Sequence, residues 1–294
     1  MRIDLHTHST ASDGTQPPAE VVASAAAAGL DVIALTDHDT SSGWAEALAA
    51  GEALGVRVVP GVEISCLRGG VSVHLLSYLH DPDDAALSEM LASSRTSRES
   101  RARRMVARLT PVTGITWADV QAQVHGPATI GRPHIADALV AAGVVTDRDE
   151  AFATLLSGRG PYFVPQTAPD PVEAVRCVRA AGGVPVVAHP AASKRGSCIG
   201  DADLEEMTAA GLAGLEVDHR DHSEDERAHL RVLAHDLGLF TTGSSDYHGA
   251  GKKNLIGEHT TDPDVLTALE AVAAPLVVPG PTVPGPTGPG VRGA

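Results

Sequence analysis

Two histidines one residue apart, His6 and His8, close the first apolar run of the chain, Ile3-Asp4-Leu5-His6. Alternate side chains of a strand share a face, so these two imidazoles can converge on one ion. Asp13 follows in the next loop. The same switch from apolar residues to metal-binding chemistry recurs along the chain. It occurs at Leu35-Thr36-Asp37-His38-Asp39, at Gly61-Val62-Glu63, at His74, at Ala188-His189-Pro190 and at Gly243-Ser244-Ser245-Asp246-Tyr247-His248. Imidazole with carboxylate is a donor set for zinc, manganese or iron, and Cys66, Cys177 and Cys198 show no paired spacing that would add thiolates. Nine candidate ligands, His6, His8, Asp13, His38, Glu63, His74, His189, Asp246 and His248, are too many for one catalytic ion. Two or three clustered divalent ions fit better, and such clusters activate water while clamping phosphoryl oxygens. Taken alone, His74 reads as an ordinary strand residue; the recurrence at one end of several elements makes it a ligand. Asp37 points away from its neighbour His38 and reads as a brace for a histidine rather than a ligand. His80, His125, His229, His235 and His259 read as solvated.

The elements that must carry these residues alternate between short β-type runs and longer Ala/Leu-rich stretches, the pattern of a mainly parallel α/β protein. Seven strands are expected, at Arg2–His6, Val32–Leu35, Arg57–Val62, Val71–Leu79, Val184–Ala188, Gly214–Val217 and Phe240–Gly243. Helices are expected at Pro18–Ala28, Trp44–Leu54, Pro171–Ala181, Asp203–Ala210, Ser223–Leu237 and Asp264–Ala273, with glycines such as Gly55 and Gly238 placed to end them. In a barrel of parallel strands the C-terminal strand ends gather around one opening, which is where most of the ligands fall. From about Asp83 to Pro165 the rhythm breaks into helices alone, at Ser88–Leu109, Trp117–Val124, His134–Ala142 and Glu150–Leu156. The expectation is therefore a mainly parallel α/β unit built from residues 1–82 and 166–278, with a helical insertion, residues 83–165, between strands 4 and 5. Arg95, Arg98, Arg101, Arg103, Arg104 and Arg108 spread around the first inserted helix and read mostly as solvated charge. The Pro/Gly-rich stretch 279–294 reads as a disordered tail.

Across 294 residues, 22 Lys+Arg stand against 37 Asp+Glu, a formal charge of −15. That balance argues against a basic groove following a long nucleic acid, and 3% aromatic residues offer little surface for stacked bases. A local phosphate site remains compatible with it. No run reaches the ~18 apolar residues of a membrane span, and the first residues lack an apolar signal core. A cytoplasmic protein without membrane attachment or an obligate protein partner is expected.

Taken together, His6-Thr7-His8-Ser9 with Asp13-Gly14, Leu35-Thr36-Asp37-His38-Asp39, Gly61-Val62-Glu63, His74, Ala188-His189-Pro190 and Gly243-Ser244-Ser245-Asp246-Tyr247-His248 resemble the successive motifs of the PHP (polymerase and histidinol phosphatase) family. The resemblance spans most of residues 1–275 and implies an irregular seven-stranded β/α barrel with three divalent ions. It implies that His6, His8, Glu63 and Asp246 hold one ion, that Asp13, His38 and His248 surround a second, and that Glu63 bridges to a third held by His74 and His189. Some members carry histidine at the Asp13 position, so aspartate marks a subgroup. Manganese or iron is favoured somewhat over zinc.

Gly131-Arg132-Pro133-His134-Ile135-Ala136 and Gly160-Pro161-Tyr162-Phe163-Val164-Pro165 are similar to the helical cap of members acting on nucleotides, such as 3′,5′-nucleoside bisphosphate phosphatases and 5′→3′ exoribonucleases. The implied substrate is a small phosphorylated nucleotide or a short oligonucleotide, hydrolysed by a metal-activated hydroxide. Arg132, His134 and Arg195 would bind it, with Lys194, Lys252 and Lys253 as further candidates, and His134 or His219 would protonate the leaving oxygen. The bland alternative for Arg132 is a salt bridge at a helix start. Histidinol-phosphate or other small-metabolite phosphatase activity is the second reading, and an amidohydrolase, which also uses HxH on its first strand, is the third.

Overall fold

β-Branched and leucine-rich runs too short for helices form seven strands: β1 (Ile3–Thr7), β2 (Val32–Leu35), β3 (Arg57–Arg68), β4 (Val71–Tyr78), β5 (Val184–Ala188), β6 (Gly214–Asp218) and β7 (Phe240–Gly243). They lie in sheet order β1-β2-β3-β4-β5-β6-β7. This computed structural model describes residues 1–273 except His125 and Pro127, and for Arg195 the backbone alone; the expected tail at 279–294 lies outside the described residues. Contacts between Thr7 and Tyr247, and the bond from His8 N to Tyr247 O at 2.8 Å, bring the first strand to the end of the last. The sheet is a nearly closed barrel wrapped by helices, as expected.

Around it run α1 (Pro18–Ala27), α2 (Trp44–Leu54), α3 (Ala85–Thr113), α4 (Trp117–Gln121), α5 (Arg132–Ala141), α6 (Arg148–Ala153), α7 (Pro171–Ala180), α8 (Asp201–Ala209), α9 (Glu224–Leu237) and α10 (Pro263–Val272). The strands divide their apolar residues by face. Ile33, Val62, Ile64, Leu75, Val187 and Leu215 pack outward with residues of α1, α2, α7, α8 and α9. Ile3, Leu5, Val32, Ala34, Leu76, Tyr78, Val184 and Val186 pack inward, joined by Leu266 and Leu269 of α10, which covers the end where the parallel strands begin. The opposite end is left to polar residues.

Two departures from the expected pattern place ligands there. β4 is antiparallel to both β3 and β5, so the sheet is not parallel throughout. A tight turn at Gly69-Gly70, both at positive φ, folds β3 back into β4, and β3 therefore runs to Arg68 rather than stopping at Val62. The reversal sets His74, early in β4, opposite Ser65 and Ala188 at the ligand end. The second departure is the extra residue in β1 between Asp4 and Thr7. Leu5 already faces inward, and strict alternation would send His6 outward; the bulge turns His6 inward as well.

In chain order α3, α4, α5 and α6 fall between β4 and α7, and they carry their own apolar cluster, including Met105, Leu109, Ile115, Ile135, Leu139 and Leu156. α3 is longer than its apolar pattern indicated, capped by Asp84, whose side chain accepts from Leu87 N at 2.9 Å. Not all its arginines are solvated: Arg98 is buried and Arg95 and Arg101 are half-buried, each donating into the molecule, while Arg103, Arg104 and Arg108 are exposed. His80 is also not solvated. It is buried, bonded to Ser77 Oγ at 2.7 Å and set against the Trp44 ring, and this burial drives its pKa down to about 4. His259 is half-buried, His229 and His235 are exposed, and His125 lies outside the described residues.

Candidate metal centre

Glu63 is the hub of the polar end. It is buried, and His6 Nε2 and His8 Nε2 lie 3.1 and 3.0 Å from its Oε2, with His38 Nδ1 at 3.3 Å. Its Oε1 faces His74 Nδ1 at 2.7 Å and His189 Nε2 at 3.3 Å. Asp246 Oδ1 lies 3.5 Å from His6 Nε2 and 3.4 Å from His8 Nε2. On the far side Asp13 Oδ1 lies 3.3 Å from His248 Nε2, and Asp13 Oδ2 3.7 Å from His38 Nε2. Donor atoms thus fall into three tight groups: His6, His8, Glu63 and Asp246; His8, Asp13, His38 and His248; and His38, Glu63 and His74. All nine sequence-derived candidates come together here. Two details differ from expectation: His8 joins the second group, and the third is completed by His38, with His189 set back against Glu63.

The arrangement fits cations rather than mutual hydrogen bonding. The Nε2 atoms of His6 and His8 face each other at 3.1 Å, and His74 Nδ1, His38 Nδ1, His248 Nε2 and Glu63 Oε1 are buried without a hydrogen bond of acceptable geometry despite their close neighbours. Burying so many polar atoms unsatisfied is costly unless an ion shared between them completes their coordination. Charge tells the same story. Burial opposes a proton on His6 and His8, but the carboxylates around them prevail, raising His6 well above its usual value and His8 to about 9. Burial also penalises the Glu63 and Asp13 carboxylates, and the imidazoles around them still hold both far below the ordinary range. Positive charge is thus favoured beside His6 and His8.

Backbone strain accompanies the ligands: His189 and Asp246 adopt positive φ, 32° and 52°, as does Asp39 beside His38 at 55°. Such conformations cost energy in non-glycine residues and are held here by surrounding bonds. Among these, His189 N donates to Glu216 Oε2 at 2.8 Å, and Ser65 N donates to Asp39 Oδ1 at 2.8 Å.

Comparison with known proteins follows this geometry. The PHP domain model matches residues 4–103. A 3′,5′-nucleoside bisphosphate phosphatase of Chromobacterium violaceum is 36% identical over 268 residues, covering 88% of this chain and 92% of that protein. The chain belongs to the PHP family. A 5′-3′ exoribonuclease of Haemophilus influenzae is 32% identical over 84% of this chain and 90% of its own length. A solved Bifidobacterium adolescentis structure, assigned as a metal-dependent phosphoesterase, superposes with a TM-score of 0.91 at 42% identity, covering 93% of this chain and 97% of that one. The histidine and carboxylate clusters of this PHP chain are accordingly suited to divalent metal ions.

Residues beyond the ligands hold the PHP site in shape. Asp37 accepts from Ser9 N at 2.8 Å, Ser9 Oγ at 2.6 Å and Ser12 Oγ at 2.6 Å, and Ser12 Oγ in turn sits 3.4 Å from His8 Nδ1. Three supports were not identified from sequence. Glu216 Oε1 faces His6 Nδ1 at 3.0 Å; Asp4 accepts from Ser245 N and Gly257 N at 3.0 and 2.8 Å; Asp39 binds Ser65 and approaches Arg98 Nη1 at 3.5 Å. Glu216 and Asp4 had a signal, a lone acid inside an otherwise apolar strand, which metal-ligating histidines require behind them.

The expected substrate residues meet different fates. Arg132 makes no ion pair among the described residues and instead lies 5.3 Å over the Phe152 ring, so the helix-start salt bridge is absent. Burial and the nearby Arg98 charge lower its pKa; burial, then Arg132, Arg98 and Arg104, bring Arg101 to about 9. Three guanidiniums are thus brought near one another, with one buried carboxylate, Asp39, beside Arg98. His134 is buried, its Nδ1 accepting from Gly131 N at 3.1 Å, so the neutral ring carries its proton on Nε2. His219 Nδ1 accepts from Asp221 N at 3.1 Å, which leaves a proton on Nε2, 3.7 Å from Asp246 Oδ2. Lys252 pairs with Asp246 at 2.8 Å and Lys253 with Asp149 at 2.5 Å, while Lys194 is exposed; Arg195 lies on a short 3-10 turn, its side chain outside the described residues.

Proposed function

We propose that this chain is a metal-dependent phosphoesterase acting on small nucleotides, either 3′,5′-nucleoside bisphosphates or the 5′ end of short RNA. The observation that carries the reading is the meeting of two charge systems: three ligand groups, two of them containing Glu63, and the Arg98, Arg101 and Arg132 cluster, close enough for Arg98 to add to the burial that depresses both His38 and Arg132. A phosphate ester completes both. The close identity to a bisphosphate phosphatase and an exoribonuclease over most of the chain supports the substrate class.

His6, His8, Glu63 and Asp246 would hold one ion, His8, Asp13, His38 and His248 a second, and His38, His74 and Glu63, with His189, a third, manganese or iron suiting this donor set. Bound there, divalent ions supply an activated water and neutralise the non-bridging phosphoryl oxygens. Arg132 grips phosphate through its planar fork, and burial strengthens that attraction. His219 donates its Nε2 proton to the leaving oxygen, its tautomer set by the Asp221 N–H. His134, held neutral by burial, donates a hydrogen bond from Nε2 to the substrate. In this reading residues 83–165 act as a cap over the barrel of residues 1–82 and 166–278.

The test is direct. Manganese-loaded protein should release inorganic phosphate from 3′-phosphoadenosine 5′-phosphate or mononucleotides from short 5′-phosphorylated RNA. Phosphate release from histidinol phosphate alone would move the assignment to metabolite phosphatases, and ammonia release from an amide panel without phosphatase activity would overturn it.

A further inference from the structure

Arg148, at the start of α6, is a residue that no catalytic role explains, yet it spans three parts of the molecule. Its Nε and Nη2 each lie 2.6 Å from one oxygen of Asp137 on α5, a two-pronged pair, and its Nη1 donates to the backbone carbonyl of Asp13 at 3.2 Å. Asp13 contributes its carboxylate to the group with His8, His38 and His248. Gly251, in the loop that follows His248, has no room for even one more carbon beside the Arg148 guanidinium. The side chain therefore bridges α5, the Asp13 loop and the His248 loop. A second link runs in parallel, since Thr129 N donates to Ala11 O at 3.0 Å.

A guanidinium is suited to this task. Its planar fork satisfies both carboxylate oxygens of Asp137, and the remaining donor projects in a fixed direction. An ammonium at this position can pair with Asp137 but lacks the geometry to hold the Asp13 carbonyl at the same time. Asp13 has no helix or strand under it, so the position of its carboxylate depends on such bonds.

We infer that Arg148, clamped by Asp137, is a positioning residue that fixes the Asp13 loop and so sets the affinity of the ion shared by His8, Asp13, His38 and His248. The inference rests on the metal reading above for its second half, while the loop-holding half stands on the hydrogen bonds alone. The test uses full-length Arg148→Lys and Asp137→Asn. In the metal-free protein, hydrogen exchange of the Ser12 and Gly14 amides should accelerate about ten-fold or more in Arg148→Lys and less in Asp137→Asn. After loading with manganese and desalting, the variants should retain one equivalent fewer than the wild-type chain, with that ion bound about 10–100-fold more weakly in competition with a chelator. For the reaction, kcat should fall while KM stays within about two-fold.

Unchanged amide exchange overturns the positioning role. Intact metal content with a raised KM also overturns it, because the guanidinium would then be touching substrate. A wild-type chain that holds no manganese, with faster loop exchange still seen in Arg148→Lys, would overturn the metal reading and leave the loop-holding role standing. Asp137→Asn keeps the test decisive if the lysine variant does not fold, because it leaves Arg148 in place with a weakened clamp.

Discussion

The barrel and the α3–α6 segment bury opposite charges. In the barrel the buried acids Asp4, Asp13, Asp37, Asp39, Glu63, Glu216 and Asp246 gather at one end among histidines. In α3–α6 the charges drawn inward are mainly arginines, Arg98 buried and Arg101, Arg132 and Arg148 half-buried, with Asp137 paired to Arg148. The acids surround donor groups suited to cations; on the other side burial, and then the neighbouring Arg132, Arg98 and Arg104, bring Arg101 down to about 9, so an anion there is favoured. Neither region is electrostatically complete alone. A buried charge is costly unless paired, so each half favours a ligand of the opposite sign, and on the proposed function a metal-bound phosphate would supply both.

Four measurements press on that contrast. The largest effect belongs to Glu63, which touches His6, His8, His38, His74 and His189. Glu63→Gln should lower kcat by about a thousand-fold or more and reduce bound metal, checked by steady-state kinetics and metal counting. If it were nearly harmless, the barrel would not be the metal-holding half. On the other side, Arg132→Ala should cost about 100-fold in kcat/KM with metal content unchanged, the size of one or two lost charge-assisted bonds to phosphate. Metal loss in that variant would blur the division. Glu216→Gln, which keeps the shape behind His6 but removes the charge, should weaken metal binding about 10-fold and leave substrate KM alone, measured by chelator competition and kinetics.

The smallest effect concerns a buried barrel group apart from the metal centre. His80 is depressed to about 4 by burial, so between that value and its unfolded value the unfolded chain binds the extra proton. Its contribution to stability is complete above about pH 6.5 and is lost as the pH falls toward 4, amounting to about 3 kcal/mol at most. Denaturant melts of metal-free His80→Gln over that range should show a shallower loss than the wild-type chain. An identical pH slope would mean that the proton linkage lies elsewhere.

Most of the strands were legible in the sequence because short β-branched runs with polar ends admit few other readings, and the bounds of β2 and β5 agree with those read from the sequence. Most of the nine ligand candidates were legible for the same reason, since a histidine or carboxylate at the end of an apolar strand stands out; Asp13, in a loop, and His74, within a strand, did not stand out alone. Other features were hidden. His80 carries no sequence mark of burial, since Trp44 and Ser77, which enclose it, come from other elements. The arginines of α3 look evenly spread along one helix, and which of them turn inward depends on what packs there.

The sequence by itself determined seven strands alternating with helices, the candidate ligand types and the placement of most of them at strand ends, because local periodicity and residue chemistry are properties of single segments, while the barrel followed from the resemblance to the PHP family. Tertiary structure decided the rest. Only the reversal of β4 carries His74 to the ligand end, only the bulge in β1 turns His6 inward after Leu5, and only the packing of α3 against the barrel brings Arg98 to Ser65 and Asp39. These outcomes depend on pairing and packing between distant segments, whose energies no single stretch of chain contains.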